Sequence, residues 1–290
     1  PGDGRVVLGP TTEVLARCDV VPPLAALADR LGWRQVPGSV RDARRRVQRE
    51  HLTVADPPPC PERPPSEPVA TLTGLGVRYG DVVAVDRVDL MLRPGTVVGL
   101  MGRNGAGKSS LMWAMQGAVP SGGELQVAGT DPRTLPANQV GRLVTLVPQS
   151  AGDLLYLPTV AAECAQADEE SDVPAGTTAA TLSRLGVEVP PDRHPRDLSE
   201  GQRLALVLAI QLATEPKVLL LDEPTRGLDY AMKAQLATIV RRLGDDGTCV
   251  VISTHDVEFA AAATELRARC ARFPAERLDA RRVLRHLGAA

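Results

Sequence analysis

The most regular feature of this chain is a set of short apolar runs separated by helical patterns. Residues 143–148, 218–221 and 249–252 consist almost entirely of apolar residues, and residues 95–101 are β-branched and apolar. A run without alternation is typical of a strand that is buried on both faces of a parallel sheet. The pattern therefore predicts an α/β fold with a mainly parallel core sheet.

Other parts of the chain have a different periodicity. Strand-like segments lie between residues 69 and 92, and the last of them alternates apolar and polar positions. Residues 160–187 are typical of a helical insert with a loose acidic, proline-containing turn at 169–174. Residues 14–52 are also helical in pattern, with proline breaks. The core sheet is therefore expected to carry a smaller β region and a helical region.

A proline-rich stretch separates the first part of the chain from the rest. Residues 56–68 contain seven prolines. Because proline has no N–H and a fixed φ, this stretch forms neither a helix nor an interior strand. It predicts a semi-rigid linker between two domains.

Composition and charge narrow the function classes. The hydrophobic content of 43% is enough for a buried core, and the net charge of −2 gives no overall basic field for nucleic acid. The triplet Arg44, Arg45 and Arg46 is read as a solvated helix face, since Asp42 and Glu50 accompany it and no aromatic residues interleave. We therefore expect no nucleic-acid partner.

The cysteines and the apolar segments bear on where in the cell the protein works. The five cysteines are scattered and form no CxxC pair, which favours a reducing cytosol. There is no charged-then-apolar leader, and the longest apolar helix pattern, residues 204–213, is about half of the roughly 20 residues that cross a bilayer. We therefore predict that nothing in this sequence spans a membrane.

Residues 102–110 carry the clearest chemical motif. They match GxxxxGK(S/T), a loop whose glycines let backbone N–H groups turn toward phosphate oxygens. The loop follows an apolar strand pattern and precedes a helix pattern, whose N-terminal dipole also attracts phosphate. The residues predicted to bind nucleotide here are Gly102, Asn104, Gly105, Ala106, Gly107, Lys108, Ser109 and Ser110. Lys108 supplies positive charge, and Ser109 supplies a hydroxyl for magnesium.

Three later segments carry a family resemblance. Residues 198–202 read LSEGQ, which resembles the LSGGQ signature of the ATP-binding cassette (ABC) family, and they precede Asp222, Glu223 and His255 in the family's order. The resemblance implies a P-loop NTPase cassette: a mainly parallel core sheet, an antiparallel β subdomain and a helical subdomain. It also implies ATP and Mg²⁺ as the bound groups and ATP hydrolysis as the activity.

The resemblance assigns a role to each of several residues. Asp222, Ser109 and Gln149 are expected at the metal, and Glu223 is expected to polarise the attacking water. His255 is the expected switch residue at the γ-phosphate, and Tyr79 the aromatic that stacks on adenine. The open alternatives are solvent exposure or helix capping for the Asp222–Glu223 pair, a surface amide for Gln149 and a core position for Tyr79.

The signature implies that one cassette is incomplete. By resemblance, Ser199, Glu200, Gly201 and Gln202 address the ATP held by an opposite cassette, and Asp229 lies on the loop that crosses between the two sites. A second cassette, in tandem or as a dimer, is therefore an expected partner. Glu200 departs from the family, because it replaces the middle glycine and places a carboxylate near the incoming phosphate.

Residues 223–233 resemble the ATPase subunits of energy-coupling factor transporters. This resemblance implies import across the membrane and two further partners, a transmembrane coupling subunit and a substrate-binding membrane protein. The location would be the cytoplasmic face of the cell membrane. The alternatives are a soluble non-transport cassette of the translation-factor or DNA-repair type, or a catalytically idle fragment. No heptad coiled coil of the repair type interrupts the cassette.

The ends of the chain are expected to differ from a single cassette. Residues 4–15 resemble the end of another cassette, which predicts that residues 1–55 are the remnant of a preceding cassette in a tandem protein. The alternative is an ordinary hairpin and helix. The ABC domain is predicted at 69–263. Residues 264–290 are predicted to be a divergent, arginine-rich tail in place of the strand and hairpin usual for the family. A changed reading frame is the alternative.

Overall fold

The structure, a computed structural model, describes residues 8–9, 14, 23–52, 66–264 and 270–272. The chain divides into two compact units, Pro1–Cys60 and Pro61–Ala290. The division falls within the proline-rich stretch 56–68, while the predicted domain limits stay predictions. The resemblance of residues 4–15 to a cassette end concerns residues outside the described part, apart from 8–9 and 14.

The described part of the first unit is a pair of helices. They are α1 (Pro23–Arg30) and α2 (Val40–Arg49), and Ser39 caps α2 by accepting a hydrogen bond from the Asp42 N–H. Trp33 packs with Ala28 and Ala43, and its ring N–H donates to Glu50 at 2.8 Å. The Arg46 guanidinium lies 4.4 Å from the centre of the Trp33 ring and also pairs with Glu50. One arginine of the basic triplet is therefore used inside this unit.

The second unit contains eight strands and seven helices in its described residues, together with three short 3-10 turns. In chain order these are β1 (Ala70–Tyr79), β2 (Val82–Leu92), β3 (Val97–Met101), α3 (Lys108–Gln116), β4 (Gly122–Val127), α4 (Ala137–Val140), β5 (Val144–Val147), α5 (Val160–Glu170), α6 (Thr177–Arg184), α7 (Glu200–Leu212), β6 (Val218–Asp222), α8 (Tyr230–Asp245), β7 (Cys249–Ser253), α9 (Val257–Ala263) and β8 (Cys270–Arg272).

Strands β1, β2 and β4 form the antiparallel sheet, in the order β2-β1-β4. The alternating residues of β2 pack on the core, as the sequence predicts, and residues 82–92 form one continuous strand. Strand β4 is not predicted, because its glycines weaken the pattern. Gly123 is required there: it has φ +84, and a Cβ would lie 2.4 Å from the Gly74 carbonyl oxygen.

The core sheet is parallel, in the order β5-β6-β7-β3-β8. Every residue of β5, β6 and β7 is buried, which confirms that their uninterrupted apolar runs belong to strands covered on both faces. All five strands run in the same direction. The loops that follow their carboxyl ends therefore meet at one edge of the sheet.

The helical insert consists of α5 and α6, joined by the predicted acidic turn. Asp168 is 4% exposed, and its carboxylate accepts hydrogen bonds from the backbone N–H groups of Gly176, at 2.6 Å, and Thr178, at 2.8 Å. Burial alone would raise the pKa of Asp168, but the hydrogen bonds from Thr178 and Gly176 outweigh it, and the pKa lies below its ordinary value. This carboxylate fixes the turn between the two helices.

The carboxyl-terminal part of the sheet differs from the expectation. Residues 270–272 form β8, which pairs in parallel with β3 through Gly99, Leu100 and Met101. A three-residue strand has too few positions to show a periodic pattern, so the sequence does not reveal it. The remaining residues of the predicted tail, 265–269 and 273–290, lie outside the described residues. Among the described helices, none has the length and apolar character needed to cross a bilayer.

We predict that Asp168→Asn lowers the free energy of unfolding by about 2 kcal/mol at pH 7. The amide of asparagine is uncharged and has a single oxygen, so it accepts well from only one of the two N–H groups, those of Gly176 and Thr178, that the carboxylate binds. A carboxyl group with a lowered pKa stabilises the fold fully above its unfolded-state pKa and loses this contribution as the pH falls through the folded-state pKa. The difference between wild type and variant should therefore shrink on acidification, as measured by urea unfolding from pH 7 downward. Asp172→Asn, at an exposed turn position with φ 51°, is the matched control and should leave stability unchanged. A constant difference at all pH values would contradict this account.

Candidate functional site

The phosphate-binding loop lies between the end of β3 and the start of α3. Gly107 caps α3 with φ 88°, and no side chain occupies the capping position. Gly105 also has φ 80°, a left-handed conformation that side chains other than glycine rarely adopt. The first N–H groups of α3 are therefore free of a side-chain cap, at the positive end of the helix dipole. The arrangement suits a multiply charged anion.

Lys108 is buried at the base of this loop, with 6% of its surface exposed. Its ammonium group donates to the carbonyl oxygens of Gly102, at 3.0 Å, and Arg103, at 3.2 Å. Residue 103 thus contributes through its backbone. An ammonium has three donors, so two support the loop and one remains for a ligand. Ser109, the next residue, is exposed.

The two acidic residues follow from the pairing of β6 with β7. Asp222 ends β6 opposite Ser253, and the Glu223 N–H donates to the Ser253 carbonyl at 2.9 Å. Glu223 has φ 49°, which is uncommon for a residue with a side chain and costs on the order of 1–3 kcal/mol. The chain turns sharply here, and both carboxylates remain buried rather than facing solvent.

Glu223 joins Lys108 and His255 in one cluster. The Glu223 Oε2 lies 2.8 Å from His255 Nδ1, and its Oε1 lies 4.0 Å from Lys108 Nζ. The His255 side chain is 71% exposed, so its ring covers the glutamate from the solvent side. Three residues far apart in the sequence therefore meet at the carboxyl edge of the sheet, as expected for a catalytic group.

Two buried oxygen atoms in this cluster have no hydrogen-bond partner among the described residues: Oδ1 of Asp222 and Oε1 of Glu223. A buried unpaired carboxylate oxygen is costly, so a ligand at this position would stabilise it. The described residues contain no group of three histidine, cysteine or acidic side chains that would enclose a metal. Mg²⁺ keeps several of its waters and binds phosphate oxygens, so a site beside a phosphate needs only one or two protein ligands. Asp222 and Ser109 fit that metal.

Gln149 and Tyr79 lie at the surface. Val147 of β5 pairs with Leu221 of β6, so Gln149 follows β5 at the same edge at which Asp222 and Glu223 follow β6. Tyr79 ends β1 in the antiparallel sheet and is 49% exposed, so it is not a core residue. Its exposed ring remains available for stacking.

The signature residues begin α7. Ser199 and Gln202 form a capping box, in which the Ser199 Oγ accepts from the Gln202 N–H and the Gln202 side chain accepts from the Ser199 N–H. Glu200 is exposed and pairs with Arg203 at 3.0 Å, one turn further along α7. Gly201 is buried, and a Cβ there would lie 2.7 Å from the Met232 side chain.

The hydrogen bonds and ion pairs found among the described residues do not link the signature to Lys108, Glu223 or His255. Asp229 lies at a helix start rather than in the cluster, and it caps α8 by accepting from the Met232 N–H at 2.8 Å. One interaction beside the cluster is not predicted from the sequence, an ion pair of 2.6 Å between Lys233 and Asp256. Its signal, an acidic residue directly after His255, is too common to be read without the fold.

Comparison with known proteins identifies the family of this chain. Residues 85–226 match the model of the family described as "ABC transporter". An ABC transporter ATP-binding protein of Streptomyces avermitilis is 48% identical over 287 residues, which cover 88% of this chain and 51% of that protein. The chain therefore spans about half the length of this relative.

A shorter relative and a solved structure complete the comparison. An ABC transporter ATP-binding protein of Streptomyces coelicolor is 35% identical over 208 residues, which cover 70% of this chain and 78% of that protein. The structure of cbiO1 from Clostridium perfringens, part of an ABC transporter complex, is 23% identical with a TM-score of 0.63, covers 71% of this chain and 85% of that one, and has the same fold. This chain belongs to the ABC transporter family of ATP-binding proteins.

Proposed function

We propose that this chain binds and hydrolyses ATP as an ATPase cassette that drives transport. The observation that carries the proposal is the position of the Glu223 carboxylate, which is buried between His255 and Lys108 and has one oxygen without a hydrogen-bond partner. A general base must lie within reach of the water that it deprotonates, beside the group that water attacks. The group that the water attacks is the γ-phosphate, which the phosphate-binding loop would hold beside Glu223.

ATP binding would use the loop and the antiparallel sheet together. Gly105, Gly107 and the first N–H groups of α3 would surround the β- and γ-phosphates, and the third donor of Lys108 would bind a phosphate oxygen. Tyr79 would stack on the adenine ring. Asn104, Ala106 and Ser110 would contribute as parts of the loop and the first turn of α3.

The metal site would be formed by Ser109 and Asp222, with Gln149 approaching from the loop after β5. The unpaired Oδ1 of Asp222 supports this assignment. The chemistry that bound Mg²⁺ supplies there is neutralisation of charge on the phosphate oxygens. The metal is proposed from these residues and from the chemistry of phosphoryl transfer.

In the reaction, Glu223 would accept a proton from a water molecule while the water oxygen forms a bond to the γ-phosphorus. The bond from that phosphorus to the bridging oxygen breaks, and ADP leaves with the electron pair of that bond. Inorganic phosphate is the second product. His255 would hold Glu223 Oε2 in place, so that Oε1 faces the water, and its exposed side would contact the γ-phosphate.

A second cassette would complete the site, because the signature does not join the cluster within this chain. We propose that Ser199 and the start of α7 address the ATP of an opposite cassette, with Asp229 on the loop between the two sites. Glu200 would add negative charge there, which Arg203 offsets at 3.0 Å. The alignment with half of a longer relative supports a tandem arrangement, in which residues 1–55 belong to a preceding cassette.

The type of transporter is a separate proposal. We propose an energy-coupling factor type of importer, because residues 223–233 resemble that subgroup. Its partners would be a transmembrane coupling subunit and a substrate-binding membrane protein, and the cassette would work at the cytoplasmic face of the membrane. Co-purification of this chain's full-length protein with those two membrane subunits tests the subgroup.

We predict that Glu223→Gln lowers ATP turnover by more than about a hundredfold, because the general base is lost while the shape of the side chain is kept. Turnover is measured as phosphate release with Mg²⁺, and nucleotide affinity is measured on the same samples with a fluorescent ATP analogue. Affinity should be unchanged. The control is Glu215→Gln, since Glu215 is an exposed glutamate that also has a left-handed φ of 51°. Equal turnover in wild type and Glu223→Gln would remove the base role.

We predict that Asp222→Asn weakens the dependence of ATP affinity on Mg²⁺ by about tenfold, since a neutral amide oxygen is a poorer magnesium ligand than a carboxylate. The measurement is titration with the ATP analogue at fixed Mg²⁺ concentrations and with a chelator. Affinity without Mg²⁺ should be similar in both proteins. An identical Mg²⁺ dependence would place the metal elsewhere. Asp153→Asn, outside the cluster, serves as the control.

A further inference from the structure

The first turn of α8 is held by two contacts, one at its start and one with α7. Its start is fixed by Asp229, which accepts from the Met232 N–H, and the Met232 side chain covers Gly201 at the beginning of α7. The neighbouring residue, Lys233, therefore extends from a fixed backbone. Its ammonium also lies 5.5 Å from the centre of the Tyr230 ring.

Lys233 reaches the segment that carries His255. Its Nζ donates to Asp256 Oδ2 at 2.6 Å, with 28% and 17% of the two side chains exposed. The other oxygen of Asp256 accepts from the Phe259 N–H at 3.0 Å, which caps α9, and the Asp256 N–H donates to Thr254 Oγ1 at 3.0 Å. Burial alone would raise the pKa of Asp256, but the hydrogen bond from Lys233 outweighs it and keeps the pKa below its ordinary value. The Asp256 carboxyl group is therefore charged at neutral pH.

His255 depends on this segment for its position. Its side chain is largely exposed, and its ring contacts Glu223 through a single nitrogen. Nothing on the solvent side of the ring restrains it among the described residues. The backbone that carries the ring is bounded by Thr254 and Asp256, which are joined by a hydrogen bond, and Lys233 pairs with Asp256 from the side of α8.

We propose that Lys233 is a positioning residue for hydrolysis: through Asp256 it holds the His255 ring against Glu223. This inference rests on the proposed function and extends it to a residue that touches neither nucleotide nor water. It also connects the helix that follows Asp229 with the catalytic glutamate. A shift of the first turn of α8 would then alter the geometry at Glu223.

The test compares Lys233→Met with Lys233→Arg in the full chain. We expect Lys233→Met to lower turnover by about fivefold, as suits the loss of a half-buried ion pair, with the affinity for the ATP analogue unchanged. Lys233→Arg keeps the charge and should restore most of the rate. Lys217→Met is the matched control, because Lys217 is exposed at the opposite end of β6. Asp256→Asn should give a loss similar to that of Lys233→Met, and the double variant no further loss.

A second readout does not depend on turnover. The chain has four histidines, so the ring signal of His255 in an NMR spectrum can be assigned from its absence in His255→Gln. Lys233→Met should move this signal toward that of a free imidazole, and Lys233→Arg should leave it in place. An unchanged signal in Lys233→Met, or turnover equal to wild type, overturns the inference. Absence of turnover in wild type together with a second cassette would contradict the proposed function instead, and the NMR comparison would still decide whether Lys233 positions the ring.

Discussion

The candidate site depends on one constraint, the parallel register of β6 and β7. This register places Asp222 opposite Ser253, so the residues that follow the two strands leave the sheet side by side. The Glu223 N–H then donates to the Ser253 carbonyl, and His255, two residues after Ser253, closes over the glutamate. A slip of one residue would turn every buried side chain of the strand to the other face. The apolar cores on both faces therefore fix the distance between the acid and the histidine.

The left-handed backbone at Glu223 follows from the same constraint. An extended residue at this position would continue the direction of β6 and carry the side chain away from Lys108. The positive φ has a conformational cost, which the hydrogen bond to Ser253 and the contacts to His255 and Lys108 offset. Strain of this kind persists where the surroundings leave the chain no alternative. Here those surroundings are the phosphate loop on one side and the strand end on the other.

Much of the fold follows from local pattern, because strands buried on both faces have an unambiguous signature. The strands β5, β6 and β7, the helical insert and the β region before the phosphate loop all lie where the sequence predicts. The strands β4 and β8 could not be predicted, since one is rich in glycine and the other has three residues. Their pairing is decided by partners distant in sequence, β1 for β4 and β3 for β8. The motifs identify Lys108, Glu223 and His255, but only the fold reveals that Gly201 is buried beneath Met232 and that Lys233 pairs with Asp256.

The two halves of the proposed machinery differ in how they are held. The phosphate side is assembled within this chain, where Glu223 lies between Lys108 and His255 and pairs with both. The signature side is held by local contacts: a capping box joins Ser199 and Gln202, and Glu200 pairs with Arg203. These contacts fix the start of α7 without a partner. The first turn of α8 touches both halves, through Met232 and through Lys233. It is therefore the element through which the approach of a second cassette to α7 would reach the glutamate.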